Sequence, residues 1–545
     1  MAEQSQNSTH HHLANEPEEE HIDRAAVMPA LSLAGLCFTE AEIDLMLAGL
    51  NTNLERYEQT RSVEIGNSVA PAWRFDPRPF PVQANAGTRR RPVPVLPASV
   101  PPLPEDLEEV AFWPVTQLAA LIHSRQVSSL QLTEMYLERL KRIGPKLECV
   151  VTLTEDLARE QAERADREIE SGTYRGPLHG IPWGAKDLLA TKGIPTTWGA
   201  TPYKDQVPDE DATVVRRLEE AGSVLVAKLT MGALAWGDVW FGGRTRSPWN
   251  TEEGSSGSSA GSGSATAAGL VGFAIGTETY GSIVSPSTAC GLSGLRPTFG
   301  RVSRHGAMAL CWTLDKIGPM CRSVEDCALV FDAIRGADGA DPSVIDADFA
   351  WPQHADLGAL RIGYVESEFA ADHETKVQDD ATLQVLRELG ADLIPMALPD
   401  LPADAMQIIL WVEAAAAFDE LTRTNRDDEL VRQTEDAWPN RFRAARTIPA
   451  VEYVQANRLR TLVMQQMAEL MTGIDVYVAP SLDTANLWLT NATGHPAVVV
   501  PNGWRENGLP STITFTGRLF DEATVLSVAK QYQDATAFHL AHPVV

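Results

Sequence analysis

Between Gly254 and Gly300 the chain reads GSSGSSAGSGSATAAGLVGFAIGTETYGSIVSPSTACGLSGLRPTFG, a tract dense in glycine and serine that turns apolar in its middle. A Gly/Ser linker stays solvated because it has nothing to bury. This tract instead contains AGLVGFAIGT, too hydrophobic to remain in water, so its small residues mark places where backbone must closely approach something else. Ser258 and Ser282 stand on either side of that apolar middle, each in its own turn. Lys186 lies upstream, at the end of a second apolar run, HGIPWGAK.

With 545 residues, 44% of them hydrophobic, the chain can bury a large core, as one big α/β unit or as two to three domains. It carries 73 acidic against 45 basic residues, a formal charge of −28, which repels phosphate backbones and anionic membranes. Nucleic acid and membrane are therefore not expected as partners. Cys37, Cys149, Cys290, Cys311, Cys321 and Cys327 are too few for a disulfide framework, and no pair has zinc-knuckle spacing. Reduced thiols fit a cytoplasmic protein. The first residues are acidic where a secretory signal is basic, and AAVMPALSLAGLCF is too short to span a bilayer. His10, His11 and His12 read as part of a functionless tail, and the other histidines lack ligand spacing, so neither metal nor cofactor is expected.

Residues 1–22, polar and poor in aromatics, read as a disordered tail, and 23–111 as an N-terminal arm. In the arm, Thr39 and Glu42 have the form of a capping box, and Ile43, Met46, Leu47 and Leu50 supply the apolar face of one short helix. A proline-rich crossing follows, through Pro71, Pro77, Pro79, Pro81 and PVPVLPASVPPLPEDL. From Thr116 to Ile143 the three- and four-residue spacing predicts two amphipathic helices broken at Ser128 or Ser129, and a third runs to Gly172. HGIPWGAKDLL then reads as a buried strand or turn ending on Lys186. The segment from Ala212 to Leu229 reads as helix, turn and strand, and LRIGYV, DDATLQVLRELG and ADLIPMAL as a βαβ-like unit. The alternation is α/β.

A serine hydroxyl needs a base to take its proton and backbone donors aimed at the anion it creates. Ser282 ends the turn GTETYGS, where the successive N–H groups of Thr279, Tyr280, Gly281 and Ser282 can form that cradle. No histidine stands in a comparable turn, whereas Lys186, after apolar GIPWGA, is placed to be desolvated enough to lose its proton. Asp187 points to the opposite face of an extended segment. Lys228, after SVLVA, reads as an interface or snorkelling lysine. Ser255, Ser256, Ser259, Ser262 and Ser264 read as turn and cap residues, and Asp315 as a backbone anchor. Trp183, Trp198, Trp236 and Trp240 crowd near these motifs. Core packing is their default, with Trp183 and Trp236, beside Ser259 and Val284, the candidates for contact with substrate. Gly257-Ser258-Ser259-Ala260-Gly261 also satisfies the G-x-S-x-G elbow of α/β-hydrolases, which would make Ser259 the nucleophile. SPWNTEEGS before it, however, is no hydrophobic strand.

GPLHGIPWGAKD, GSSGSSAGSGSATAAG, GTETYGSIVSPSTACGLSGLRPTFGRVS, TLDKIGPMCRSVEDCALV, NATGHPAVVVPNG and GRLFDEATVL, in this order, together resemble the amidase signature family over about residues 112 to 540. The resemblance implies a catalytic domain at 112–545, with a mixed central β-sheet wrapped by helices. It also implies hydrolysis of a small carboxylic amide, and of related esters, anilides or carbamates, without metal or cofactor. Ser282 resembles the acyl-accepting nucleophile, Lys186 the base, and Ser258 the bridging serine that follows a cis peptide, here Gly257–Ser258. The family also includes the ammonia-producing subunit of tRNA-dependent amidotransferases, which requires a partner protein. Tyr280 and Ala260 stand where glycine is usual, and Val284 where arginine is usual. Loss of that arginine points to neutral, hydrophobic or aromatic amides. The arm is the candidate for a homodimer contact or a pocket cover.

Overall fold

PWGAK, VLVAKL and FAIGTE lack the polar alternation of a half-exposed strand, as strands covered on both faces must. The computed structural model describes residues 22–65, 100, 102–352, 355–481 and 484–545, and every residue of these three strands is buried in it. In chain order the strands are β1 (Val150–Leu153), β2 (Pro182–Lys186), β3 (Val224–Leu229), a short hairpin of β4 (Val239–Trp240) and β5 (Gly243–Arg244), β6 (Phe273–Glu278) and β7 (Ser293–Arg296). They continue with β8 (Lys316–Cys321), β9 (Ile362–Val365), β10 (Leu393–Met396), β11 (Val476–Pro480), β12 (Ala497–Trp504) and β13 (Pro510–Gly517). Apart from the hairpin they form one sheet in the order β1-β3-β2-β6-β8-β7-β12-β13-β11-β9-β10. β3, β2 and β6 are mutually parallel, as are β11, β9 and β10 at the other end, while the strands between pair antiparallel. This is the expected mixed sheet flanked by helices.

The amphipathic stretch after Thr116 forms helices Val115–His123 and Ser129–Leu147, broken where the sequence indicates. Ser128 caps the second, accepting the Gln131 N–H at 3.0 Å. The βαβ-like unit is also present: β9, helix Lys376–Glu388 and β10, with the two strands parallel. Helix Ala260–Ala267, sequence AGSGSATA, is buried along its whole length. A Cβ on Gly261 would lie 2.4 Å from the backbone nitrogen of Thr230, so only glycine lets this helix sit so close to the end of β3.

The N-terminal segment holds two helices, Arg24–Leu33 and Glu40–Arg61, where the sequence reading expected one. Pro29 lies inside the first and masks its periodicity, while Asp23 caps it by accepting the Ala26 N–H at 2.9 Å. The second begins in the expected capping box, the Thr39 N–H donating to Glu42 Oε2 at 2.6 Å. Its Ile43, Met46 and Leu50 pack with Ala444 of helix Trp438–Ala445. Glu42 meets Arg443 at 2.7 Å, and Arg61 meets Glu452 at 2.5 Å. Most of the proline-rich crossing, and residues 1–21, lie outside the described residues. Among the described residues no helix is long and apolar enough to cross a membrane.

Candidate active site

β2 and β6 are parallel neighbours, pairing Ala185 with Ile275, so their carboxyl ends emerge on one side, where open α/β sheets bind ligands. β2 ends on Lys186, whose side chain is fully buried. Its Nζ lies 2.9 Å from Ser258 Oγ, 2.9 Å from Ser259 Oγ and 2.8 Å from Thr277 Oγ1, with the Thr277 carbonyl at 3.4 Å. Among the described residues no carboxylate forms an ion pair with it. Burial lowers its pKa to about 7, against the opposing pull of Asp315 and Glu278. A lysine so placed is partly neutral near pH 7 and can accept a proton from a hydroxyl.

The Gly257–Ser258 peptide is cis. Gly257 is pressed on the opposite chain segment: a Cβ there would stand 1.8 Å from the Gly237 carbonyl oxygen. Ser258 is 1% exposed, and its carbonyl accepts the Gly232 N–H at 3.3 Å. Ser259 is committed elsewhere. Its Oγ donates to the Thr277 carbonyl at 3.1 Å and accepts from the Thr277 N–H at 3.1 Å and from Lys186. Turns and bends, not a strand, precede it. The elbow reading of Ser259 therefore lacks both the strand and the exposed hydroxyl that such a nucleophile needs.

Ser282 sits in the turn after β6, and its carbonyl accepts the Ser259 N–H at 3.3 Å, which places the two serine turns back to back. Among the described residues its hydroxyl makes no hydrogen bond, and the N–H groups of Gly281 and Ser282 donate to nothing. Gly281 has φ +82°, the left-handed conformation this turn requires. Glu278 anchors the turn: its Oε2 accepts from the Ile283 N–H at 2.8 Å and the Val284 N–H at 2.9 Å, and its Oε1 from Arg296 at 2.8 Å and Asn491 at 2.8 Å. Burial pushes the Glu278 carboxyl up, but Arg296 and these donors outweigh it and hold the pKa below the usual value. Thr279 Oγ1 donates to Asp315 at 2.6 Å, and Asp315 also takes the Leu310 and Cys311 N–H groups, the backbone anchor expected of it. Tyr280 stands edge-on to Trp488, ring centroids 5.0 Å apart.

The structure thus joins Lys186 to Ser258 by hydrogen bond and brings Ser282 beside them through backbone. Three expectations change. Trp183, 1% exposed and stacked on Phe273 at 6.1 Å, belongs to the core: strand alternation turns it to the face opposite Lys186. Val284 is 1% exposed and enters the site through its N–H, not its side chain. Lys228 does not snorkel. Covered on both faces, it is fully buried and meets Asp187 at 3.1 Å. Trp236, half-buried, is stacked on Trp411 at 5.8 Å and edge-on to Trp438 at 4.7 Å. Sequence reasoning missed Thr277, Glu278, Arg296 and Asn491. Thr277 and Glu278 lie inside the motif GTETYGS, which was the available signal.

An Amidase family model matches residues 131–526, which gives the class of this mixed-sheet protein as an enzyme of amide chemistry. The chain belongs to the amidase signature family. It is 33% identical over 478 residues to a glutamyl-tRNA(Gln) amidotransferase subunit of Roseiflexus castenholzii, covering 79% of this chain and 97% of that one. The solved structure of native peptide amidase from Stenotrophomonas maltophilia superposes with a TM-score of 0.68 at 29% identity, covering 79% of this chain and 98% of the other. An amidase family protein from Bacillus anthracis gives 0.72 at 26% identity, covering 80% and 93%.

Proposed function

We propose that this chain is a cytoplasmic serine hydrolase that cleaves small carboxylic amides through an acyl-enzyme on Ser282. The observation that carries the reading is the fully buried side-chain nitrogen of Lys186, 2.9 Å from Ser258 Oγ, with no carboxylate paired to it among the described residues. Neutral Lys186 takes the Ser258 proton as Ser258 takes that of Ser282, and Ser282 Oγ attacks the carbonyl carbon. The resulting oxyanion faces the turn from Thr279 to Ser282, where the Gly281 and Ser282 N–H groups are unengaged among the described residues. Collapse breaks the C–N bond, and the relay returns the proton to the leaving amine. Water then repeats the sequence on the ester, releasing a carboxylic acid and freeing Ser282. Esters, anilides and carbamates are open to the same acyl chemistry, and no cofactor is needed for it.

With valine at 284, no fixed cation follows the nucleophile, which favours neutral aromatic or hydrophobic amides over small acids. Trp236 supports this, because its loop is bonded to Ser258 through the Gly232 N–H. The test is a hydrolysis screen of the purified chain on aryl amides, fatty amides, amino-acid amides, carbamates and glutamine. Turnover of aryl amides by the chain alone supports the reading. A second reading, the ammonia-producing subunit of an amidotransferase, is favoured by the name and length match of the Roseiflexus relative. Glutamine hydrolysis that appears only with a tRNA-bound partner would establish that reading instead.

A further inference from the structure

The residue after Lys186 is as deeply buried as the lysine itself, and the proposed chemistry gives it no part. Asp187 and Lys228 are both fully buried, and Asp187 Oδ1 stands 3.1 Å from Lys228 Nζ. In the register of β2 on β3, Ala185 lies beside Lys228 and Lys186 beside Leu229. Asp187 and Lys228 therefore share the face opposite the one from which Lys186 reaches the serines. Burial pushes the carboxyl of the one up and the ammonium of the other down, so each charge leans on its partner.

Both ends of this pair grip the same loop. Asp187 Oδ2 accepts the Thr197 N–H at 2.8 Å and the Thr197 hydroxyl, and the Asp187 carbonyl accepts the Trp198 N–H at 3.1 Å. Lys228 Nζ donates to Thr196 Oγ1 at 2.6 Å and lies 3.5 Å from the Pro195 carbonyl. The loop passes the constraint on. The Trp198 carbonyl accepts the Leu234 N–H at 3.0 Å, and Gly232, two residues before Leu234, donates its N–H to the Ser258 carbonyl. From the pair, one path thus runs along the chain to Lys186 in a single residue. The other runs through 195–198 and 232–234 to Ser258.

We infer that Asp187 and Lys228 are positioning residues that fix Lys186 and Ser258 relative to each other, through the 195–198 and 232–234 loops, without touching substrate. This rests on the Lys186/Ser258/Ser282 reading. A buried ion pair by itself is weak evidence of anything beyond its own neutralisation, since apolar replacements of both partners are often neutral or stabilising. What distinguishes this pair is that both partners hold one loop, 195–198, which the Trp198 carbonyl ties to 232–234 and so to Ser258, and near-attack geometry is sensitive: a displacement of about 1 Å costs on the order of 100-fold in rate.

The test compares Asp187→Asn, Lys228→Met and the double variant, with thermal midpoint, kcat and KM on an aryl amide. Each single variant leaves one buried charge unpaired and should lose both stability and turnover. The double variant restores neutrality and should recover the wild-type midpoint, with kcat still down by roughly 10- to 100-fold and KM within about threefold. A double variant that recovers kcat together with stability would overturn the inference and leave a merely structural pair. Thr196→Val guards against misfolding of the double variant: nearly isosteric, it removes only the hydroxyl held by Lys228. Its kcat should fall severalfold with KM and midpoint little changed, and an unchanged kcat would also overturn the inference. Ser282→Ala serves as the separate control. Turnover surviving in it would sink the triad reading itself, whatever the pair does.

Discussion

Arg296 and Glu278 form an ion pair from which solvent is wholly excluded, Nη1 to Oε1 at 2.8 Å, and the other oxygen of that carboxylate carries the two backbone N–H groups that follow Ser282. Charge neutralisation in the core and the shape of the serine turn are therefore one arrangement. Glu278→Ala should destabilise the fold by about 3–5 kcal/mol, because it strands the Arg296 charge and the Ile283 and Val284 donors together. Urea unfolding checks the loss. Glu278→Gln, which keeps one acceptor, should fold and yet turn over more slowly, because its amide cannot both accept both N–H groups and face Arg296.

Ser282→Ala should reduce turnover to background while leaving the fold intact, since the Ser282 hydroxyl makes no hydrogen bond among the described residues. Ser259→Ala should behave differently. It removes a buried hydroxyl bonded to Lys186 and to both backbone groups of Thr277, so it should cost stability and about tenfold in rate without abolishing turnover. Intact-mass detection of an acyl-enzyme in wild type and Ser259→Ala, but not in Ser282→Ala, checks the assignment.

Lys186 falls from an ordinary 10.5 to about 7 on folding, chiefly through burial. Turnover should therefore climb as pH rises through about 7 and fail in acid, where the lysine is protonated. The stability sign follows from linkage: between the folded and unfolded values the unfolded chain binds the extra proton, so this group's contribution improves as pH rises from about 7 toward 10.5 and is at its worst below 7. Lys316, also lowered to about 7 by burial and then by Arg296, acts in the same sense. Lys186→Met should be inactive, yet gain stability relative to wild type most clearly below about pH 7. Denaturation on the acid and the alkaline side of that value checks the difference.

Trp236→Ala should raise KM for aryl amides by about tenfold, in line with a lost aromatic contact worth about 1 kcal/mol or somewhat more, and change KM for acetamide little. Steady-state kinetics on the two substrates separates a binding role from a packing one, because collapse of the Trp236–Trp411–Trp438 stack would harm both.

The meeting of Lys186 with Ser258, and of the Ser258 and Ser282 turns, was legible in the sequence because each of the three residues ends or opens a turn in a motif of small residues. The α/β alternation was legible for a related reason: β2, β3 and β6 are continuous apolar runs too short for helices. What stayed hidden is pairing across the sheet. Nothing in SVLVAKL tells that Lys228 faces Asp187, and the partners of Glu278 come from β7 and from Asn491, far along the chain. Trp183, three residues from Lys186, nonetheless packs into the core, because residues an odd number of steps apart on a strand face opposite ways. The first helix of the arm stayed hidden behind Pro29.

Helix Ala260–Ala267 is packed tightest at its two glycines: a Cβ on Gly261 would strike backbone, and one on Gly263 would come within 3.1 Å of the Pro286 carbonyl. Natural divergence and laboratory evolution alike are therefore held to glycine at Gly261, even though Ala260 beside it already departs from the family's usual glycine. The rings that pack on Trp236 come instead from helices Gln407–Ala417 and Trp438–Ala445, which carry Trp411 and Trp438. A mutant library that varies Gly261 samples mostly destabilised chains, whereas one that varies the faces around Trp411 and Trp438 meets no such backbone wall at its starting point.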